Sequence, residues 1–249
     1  MRYDRYISVG AAMISAALLF SGCSYKEAKP EQSAQKQTSV QDESRKEPEI
    51  PSEEEQIRTV YQNSLESTFC IFTPGGNNGT GFLYNDTYVI TNAHVLYDTD
   101  QFTLMDAEKN EYTGTVVFTD YETDIAIIQA NGIHGTSVRF GNSDDVLVGD
   151  TLILIGNPAD GEPFSLCTGQ RLEPVDFVQQ MDQEGLYIPS DADLRSGYSG
   201  GPIFNLSGEL IGISNAAYTG DLSEYGLEHL SLIIPINRVR KEIEENCAD

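Results

Sequence analysis

Gly197-Tyr198-Ser199-Gly200-Gly201-Pro202 sets a serine among glycines, directly ahead of the short apolar run Pro202 to Phe204. A serine hydroxyl attacks poorly unless a base takes its proton and nearby donors stabilise the oxyanion that forms. Glycines on both sides allow the tight turn that exposes such a hydroxyl and aims backbone N–H groups at a substrate. Many Gly-Ser runs are only turns. The stretch therefore acquires chemical meaning only if the chain also supplies a base and a carboxylate.

The chain contains three histidines. His134 lies in the loop-like Asn131-Gly132-Ile133-His134-Gly135, and His229 stands just before an apolar run; both read as structural. His94 directly follows the strand-like Val89-Ile90-Thr91, in Asn92-Ala93-His94-Val95. A hydrolytic serine needs an imidazole that can take up and return a proton, oriented by a buried carboxylate. Asp124 is the candidate carboxylate, because Tyr121-Glu122-Thr123-Asp124 gives way there to the apolar Ile125-Ala126-Ile127-Ile128. A carboxylate at the edge of a buried strand is costly unless a donor pairs with it, although a plain turn-capping Asp also fits the local pattern.

Around these residues, short apolar runs alternate with turn residues, as in a sandwich or barrel. Strands are expected at Thr68–Phe72, Gln101–Met105, Tyr112–Phe118, Ile125–Gln129, Thr151–Ile155, Gly185–Pro189, Pro202–Phe204, Leu210–Ser214 and Leu230–Ile234. Gly81–Tyr84 and Tyr88–Thr91 form a hairpin about Asn85-Asp86. Ser52 caps a helix over Glu53–Ser67, with Ile57, Val60, Tyr61 and Leu65 on one face. A second amphipathic helix starts at Ile236. The fold class is all-β with an N-terminal and a C-terminal helix.

Of the 249 residues, 39 are acidic and 15 basic, a formal charge of −24. That charge argues against nucleic acid, which demands basic patches, and is compatible with cationic substrates or with solubility alone. Arg2 and Arg5 precede a mainly apolar run, Ile7 to Phe20, too short for an ordinary membrane span. Residues 1–22 are therefore read as an export signal. Phe20-Ser21-Gly22-Cys23 resembles the lipobox of bacterial lipoprotein signal peptides, with Phe20 where Leu is usual. The resemblance makes Cys23 the lipidated N-terminus and tethers the chain to the membrane on its extracytoplasmic face; a plain signal peptide also exports it. Residues 23–52, rich in Lys, Glu, Gln and Ser, read as a disordered linker. Cys70, Cys167 and Cys247 remain, an odd number. A Cys70–Cys167 bridge and free thiols on strands are both compatible with it, and strand positions favour the thiols.

The chain order His94, Asp124, Ser199 is that of chymotrypsin-like serine peptidases. The surrounding segments resemble their HtrA/Deg branch: Gly79-Thr80-Gly81-Phe82-Leu83, Thr91-Asn92-Ala93-His94-Val95, Thr123-Asp124-Ile125-Ala126, Gly141-Asn142-Ser143-Asp144, Ile155-Gly156-Asn157-Pro158, and Ser190 through Asn205. The resemblance covers roughly Ile57 to Pro235. It implies one peptidase domain, 53–249, built of two six-stranded antiparallel β-barrels, about 68–132 and 140–235, with the site in the cleft between them. It implies catalytic His94, Asp124 and Ser199, an oxyanion hole from the N–H groups of Gly197 and Ser199, protein or peptide substrates, and no metal or organic cofactor. Asp193, Leu194 and Ser214 are expected at the specificity pocket. Asp193 favours a basic substrate side chain and Leu194 a small aliphatic one; the HtrA-like context tips the balance to aliphatic.

Departures are visible. Tyr198 replaces the Asn common before the serine, and Arg195-Ser196 replace an Asn-Pro pair. About fifty residues follow Ser199, too few for the PDZ domain usual in this branch. The oligomeric state is open. A non-catalytic binding module on a degenerate peptidase fold is the rival reading, and a glutamyl endopeptidase a weaker one.

Overall fold

The computed structural model describes residues 51–97, 99–174 and 186–247. The expected export signal, Cys23 and residues 23–50 of the linker lie outside the described residues. The structure is mostly β, with two antiparallel sheets, each curled into a half-barrel.

Helix α1 (Glu53–Ser64) begins with reciprocal caps: Glu55 N donates to Ser52 Oγ at 3.3 Å, and Ser52 N donates to Glu55 Oε2 at 2.8 Å. Three glutamates in its first turn suit the positive end of the helix dipole. The helix stops three residues short of the expected end, where Leu65–Ser67 tightens into a 3₁₀ turn. That turn delivers the chain into the first sheet.

The first sheet contains β1 (Thr68–Phe72), β2 (Asn78–Leu83), β3 (Tyr88–Thr91), β4 (Thr103–Met105), β5 (Glu111–Tyr112), β6 (Thr115–Asp120) and β7 (Ile125–Gln129), ordered β5-β4-β1-β2-β3-β7-β6. It has seven strands where six were expected. The apolar run Tyr112–Phe118 supplies two of them: β5 pairs with β4, and β6 pairs with β7. Gly114 stands at the break, and a Cβ there would lie 2.7 Å from the Gln129 carbonyl oxygen. The second sheet holds β8 (Thr151–Gly156), β9 (Ser165–Gln170), β10 (Ile188–Ser190), β11 (Pro202–Phe204), β12 (Leu210–Ala217) and β13 (Ser231–Pro235), ordered β10-β13-β12-β11-β8-β9. Strand β9, Ser-Leu-Cys-Thr-Gly-Gln, has no apolar alternation strong enough to have marked it in the sequence.

Strand β7 shows how the sheets share one interior. Ile125 and Ile127 face a core that also takes Ile153, Ile155, Phe204 and Ile213 of the second sheet. Ala126 and Ile128 face the first sheet's own core with Phe69, Leu83 and Val89. This is the two-residue period of a strand buried on both faces. Helix α2 (Ile236–Asn246) closes the common core with Ile236, Val239 and Ile243. It also reaches back to the first sheet, where Glu242 Oε2 lies 3.0 Å from Thr123 Oγ1 and Arg238 donates to the Glu122 carbonyl at 3.4 Å.

Candidate active site

Asp124 occupies the residue before β7 with φ of 57°, a left-handed conformation uncommon for a non-glycine residue. Its neighbours hold it there. Its carbonyl accepts from Ala93 N at 3.2 Å and Asn92 Nδ2 at 2.9 Å. Its carboxylate turns to the 3₁₀ segment Ala93–Leu96 beyond β3: Oδ1 accepts from His94 N at 3.0 Å, and Oδ2 lies 2.7 Å from His94 Nδ1. A carboxylate accepts only, so Nδ1 carries the proton and Nε2 of the neutral ring is left as an acceptor. The Asp124 side chain is 18% exposed and the His94 side chain 48%. The imidazole thus has a sheltered anchor and an open working edge.

Ser199 comes from the other sheet, in the turn ahead of β11. Gly197 and Gly200 adopt φ of 101° and 82°. A Cβ on Gly200 would lie 2.3 Å from the Thr80 carbonyl oxygen, so the turn packs on β2 and β3 in a way that only glycine allows. Thr80 joins the sheets: its N donates to Ser199 O at 2.9 Å, and its Oγ1 donates to Gly197 O at 2.7 Å while accepting from Asn157 N at 3.0 Å. His94 and Ser199 line one hollow together with Gly197 and Ser196. The Ser199 hydroxyl donates to the carbonyl oxygen of Asn215 at 3.1 Å rather than to the imidazole.

The peptides before Ser199 are fixed with their carbonyls turned to protein donors. Ser196 O accepts from Ala159 N at 2.9 Å, and Tyr198 O accepts from Gly201 N at 2.9 Å and from Ser214 Oγ. Among the described residues, neither the Gly197 nor the Ser199 N–H has a protein acceptor. These are the two donors that an oxyanion would need.

Beside Ser199 lies a hollow of about 390 Å3 whose walls include Leu194, Tyr198, Ser214, Asn215, Ala216 and Ala217. Leu194 and Ser214, two of the three residues expected at a specificity pocket, are among its lining residues. Asp193 does not line it. Its carboxylate is half exposed and faces His229 Nδ1 at 3.3 Å and Arg195 Nε at 3.9 Å. Arg195, at the rim, is tied to Asp160 at 3.0 Å, and that carboxylate raises the guanidinium's pKa further. Cys70, Cys167 and Cys247 are free thiols. Another hollow of about 380 Å3, between α1 and residues 136–139, holds none of the candidate residues.

Two contributors escaped the sequence. Asn215 donates from Nδ2 to Asp124 Oδ2 at 2.5 Å, beside the His94 contact. Nothing in Ile213-Ser214-Asn215-Ala216 marks it, because its partner is 91 positions away. Tyr198 is 2% exposed, and its ring packs on Gly156, where a Cβ would sit 2.3 Å from Cδ1. The residue that departs from the HtrA pattern is therefore part of the second sheet's core.

Comparison with known proteins places this geometry among relatives. Residues 79–213 match the trypsin-like peptidase domain. The chain is 31% identical over 210 residues to a probable periplasmic serine endoprotease, DegP-like, of Chlamydia trachomatis, covering 80% of this chain and 37% of that protein. A protein of the same description from Pseudomonas putida is 32% identical over 160 residues, covering 64% of this chain and 32% of its own length. The chain thus spans about a third of the length of these curated relatives. The inactive form of the Rv3671c protease of M. tuberculosis superposes with a TM-score of 0.62 at 22% identity, covering 76% of this chain and 93% of that one, a likeness of fold.

Proposed function

Because the chain belongs to the trypsin-like peptidase family, we propose that it is a serine endopeptidase cleaving exported or misfolded proteins by acyl transfer at Ser199. Ser199 Oγ leaves the Asn215 carbonyl, gives its proton to His94 Nε2 and attacks the scissile carbonyl. The N–H groups of Gly197 and Ser199 receive the oxyanion. The His94 imidazolium, held by Asp124, returns the proton to the leaving amine, and water then repeats the sequence on the acyl-enzyme. Losing one oxyanion donor costs about 10²–10³ in rate.

The observation that carries this reading is the His94–Asp124 pair, 2.7 Å apart through Nδ1 and seated in the same cleft as Ser199. Substrate backbone has a ready partner in β12, whose residues Asn215–Ala217 run past the end of β11 and line the hollow. The hollow's Leu194, Ala216 and Ala217 favour a small aliphatic side chain at the cleaved position. The periplasmic designation of the DegP-like relatives and the lipobox-like Phe20–Cys23 support work on the extracytoplasmic face, tethered through a lipid at Cys23.

Labelling with a fluorophosphonate probe tests the reading. Wild-type protein should label and hydrolyse casein, and Ser199→Ala should do neither, with hydrolysis falling by at least about 10⁴-fold. A folded wild type that takes no probe and cuts nothing would overturn the peptidase reading and favour the rival binding module.

A further inference from the structure

Thr80 is a wholly buried residue of β2 whose polar atoms go to the serine turn of the other sheet. The ladder between β2 and β3 covers Phe82 and Leu83, which leaves the backbone at Thr80 to that turn. Its N–H donates to Ser199 O at 2.9 Å. Its hydroxyl has one proton, and a carbonyl only accepts, so that proton goes to Gly197 O at 2.7 Å. The same oxygen accepts from Asn157 N at 3.0 Å. Thr80 O in turn accepts from Thr91 Oγ1 at 2.6 Å, which ties this point of β2 to β3. Thr80 thus holds, by their carbonyls, both residues whose N–H groups are offered to an oxyanion.

The hold matters most at Gly197. Glycine takes positive and negative φ about equally readily, so nothing in the residue itself keeps its φ at 101°. Two peptides meet there. The one before it carries the Gly197 N–H and is pinned where Ser196 O accepts from Ala159 N at 2.9 Å. The one after it is pinned by the Thr80 hydroxyl, with Asn157 N a longer second donor at 3.4 Å. Asn157 is itself seated on Thr80 Oγ1, and its Nδ2 is buried without a hydrogen-bond partner among the described residues. Removing the hydroxyl therefore loosens Gly197 directly and again through Asn157. Being wholly buried, the Thr80 side chain can act on a substrate only through the backbone that it holds.

We propose that Thr80 is a positioning residue for catalysis: its hydroxyl fixes the Gly197 peptide so that the Gly197 and Ser199 N–H groups converge on the oxyanion. The inference rests on the peptidase reading. Thr80→Val keeps the shape and removes the hydroxyl. Thr80→Ser and Thr80→Ala both shed the methyl, and only the serine keeps the hydroxyl. For each protein, kcat and KM are measured on Ala-Ala-Val p-nitroanilide, beside the inhibition constant of the matching peptide boronic acid. Ser199 Oγ gives its proton to His94 and bonds to boron, so the tetrahedral adduct places an oxygen where the oxyanion would lie.

Thr80→Val and Thr80→Ala should lower kcat and weaken the boronic acid by about 10–100-fold, with KM within about twofold, since a misplacement of about 1 Å costs about 10²-fold. Thr80→Ser should stay within about threefold of the wild type in both, whatever its melting temperature. A hydroxyl that only satisfies buried backbone groups would shift the melting temperature and leave kcat and boronic acid affinity unchanged. That result, or equal losses in Thr80→Ser and Thr80→Ala, overturns the role. If Thr80→Val does not fold, the serine and alanine variants decide by the same criterion. A wild type that takes no fluorophosphonate overturns the peptidase reading and this role with it. An active wild type with indifferent variants overturns the role alone.

Discussion

Asn215 grips both ends of the candidate triad: its Nδ2 donates to Asp124 at 2.5 Å, while its carbonyl accepts the Ser199 hydroxyl at 3.1 Å. One residue of β12 thereby couples the carboxylate of the first sheet to the nucleophile of the second. The side-chain amide fixes the carboxylate oxygen that also meets His94 Nδ1. A hydrogen bond to a charged group contributes about 1.5–3 kcal/mol. Asn215→Ala should therefore lower kcat by about 10–100-fold with little change in KM. Asn215→Asp should be worse, since it sets a second carboxylate against Asp124. Steady-state kinetics beside thermal melts check this; a loss confined to stability would reduce Asn215 to a packing residue.

Asp193 stands outside the hollow that Leu194 and Ser214 line. Asp193→Asn should leave the ratio of cleavage after valine to cleavage after arginine within about twofold, because the carboxylate faces His229 and Arg195 and does not line the hollow. Leu194→Gly should shift the preference to larger side chains by opening the wall. Profiling both variants on a peptide library decides the matter, and a collapse of arginine cleavage in Asp193→Asn would restore the carboxylate to the pocket.

Tyr198 and Gly156 are a matched pair. Tyr198→Asn, the exchange towards the HtrA pattern, should cost about 3 kcal/mol or more, since it removes a ring from a closed core and leaves a void. Gly156→Ala should also destabilise, because its new methyl would meet the ring at 2.3 Å. In Gly156→Ala combined with Tyr198→Asn the two costs should be strongly non-additive, as the void receives the methyl. Urea unfolding of the four proteins measures the coupling.

Burial pushes the Cys70 thiol up to about 12 and the Cys247 thiol likewise up to about 12, from an ordinary 9.0. In the unfolded chain both ionise from about pH 9, whereas the fold keeps them neutral. Their contribution to stability is thus complete below pH 9 and is lost as the pH climbs towards 12. Urea midpoints of the wild type should fall more steeply between pH 8.5 and 10.5 than those of Cys70→Ala combined with Cys247→Ala. Parallel slopes for the two proteins would refute the assignment. The native protein should also resist alkylation at both positions at pH 8.

The capping box at Ser52, the hairpin around Asn85 and the run Ile125–Gln129 were legible because each depends on neighbours within a few residues. So was the serine turn, whose glycines announce a positive φ. The extra strand β5 was not legible, since only the near contact of Gly114 with the β7 backbone shows where the run breaks. Strand β9 was missed because its residues alternate weakly and it borrows its place from β8.

By itself, the sequence determined the all-β class, the order His94, Asp124, Ser199, and the glycines that a tight serine turn requires. These rest on local propensity and on residue type. Only the tertiary structure decided that Asn215 joins Asp124 to Ser199, that Asp193 turns away from the hollow, that Tyr198 belongs to the core and that Thr80 meets Gly197. The reason is physical: each of these depends on where two sheets, folded from distant segments around one shared core, bring side chains within bonding distance.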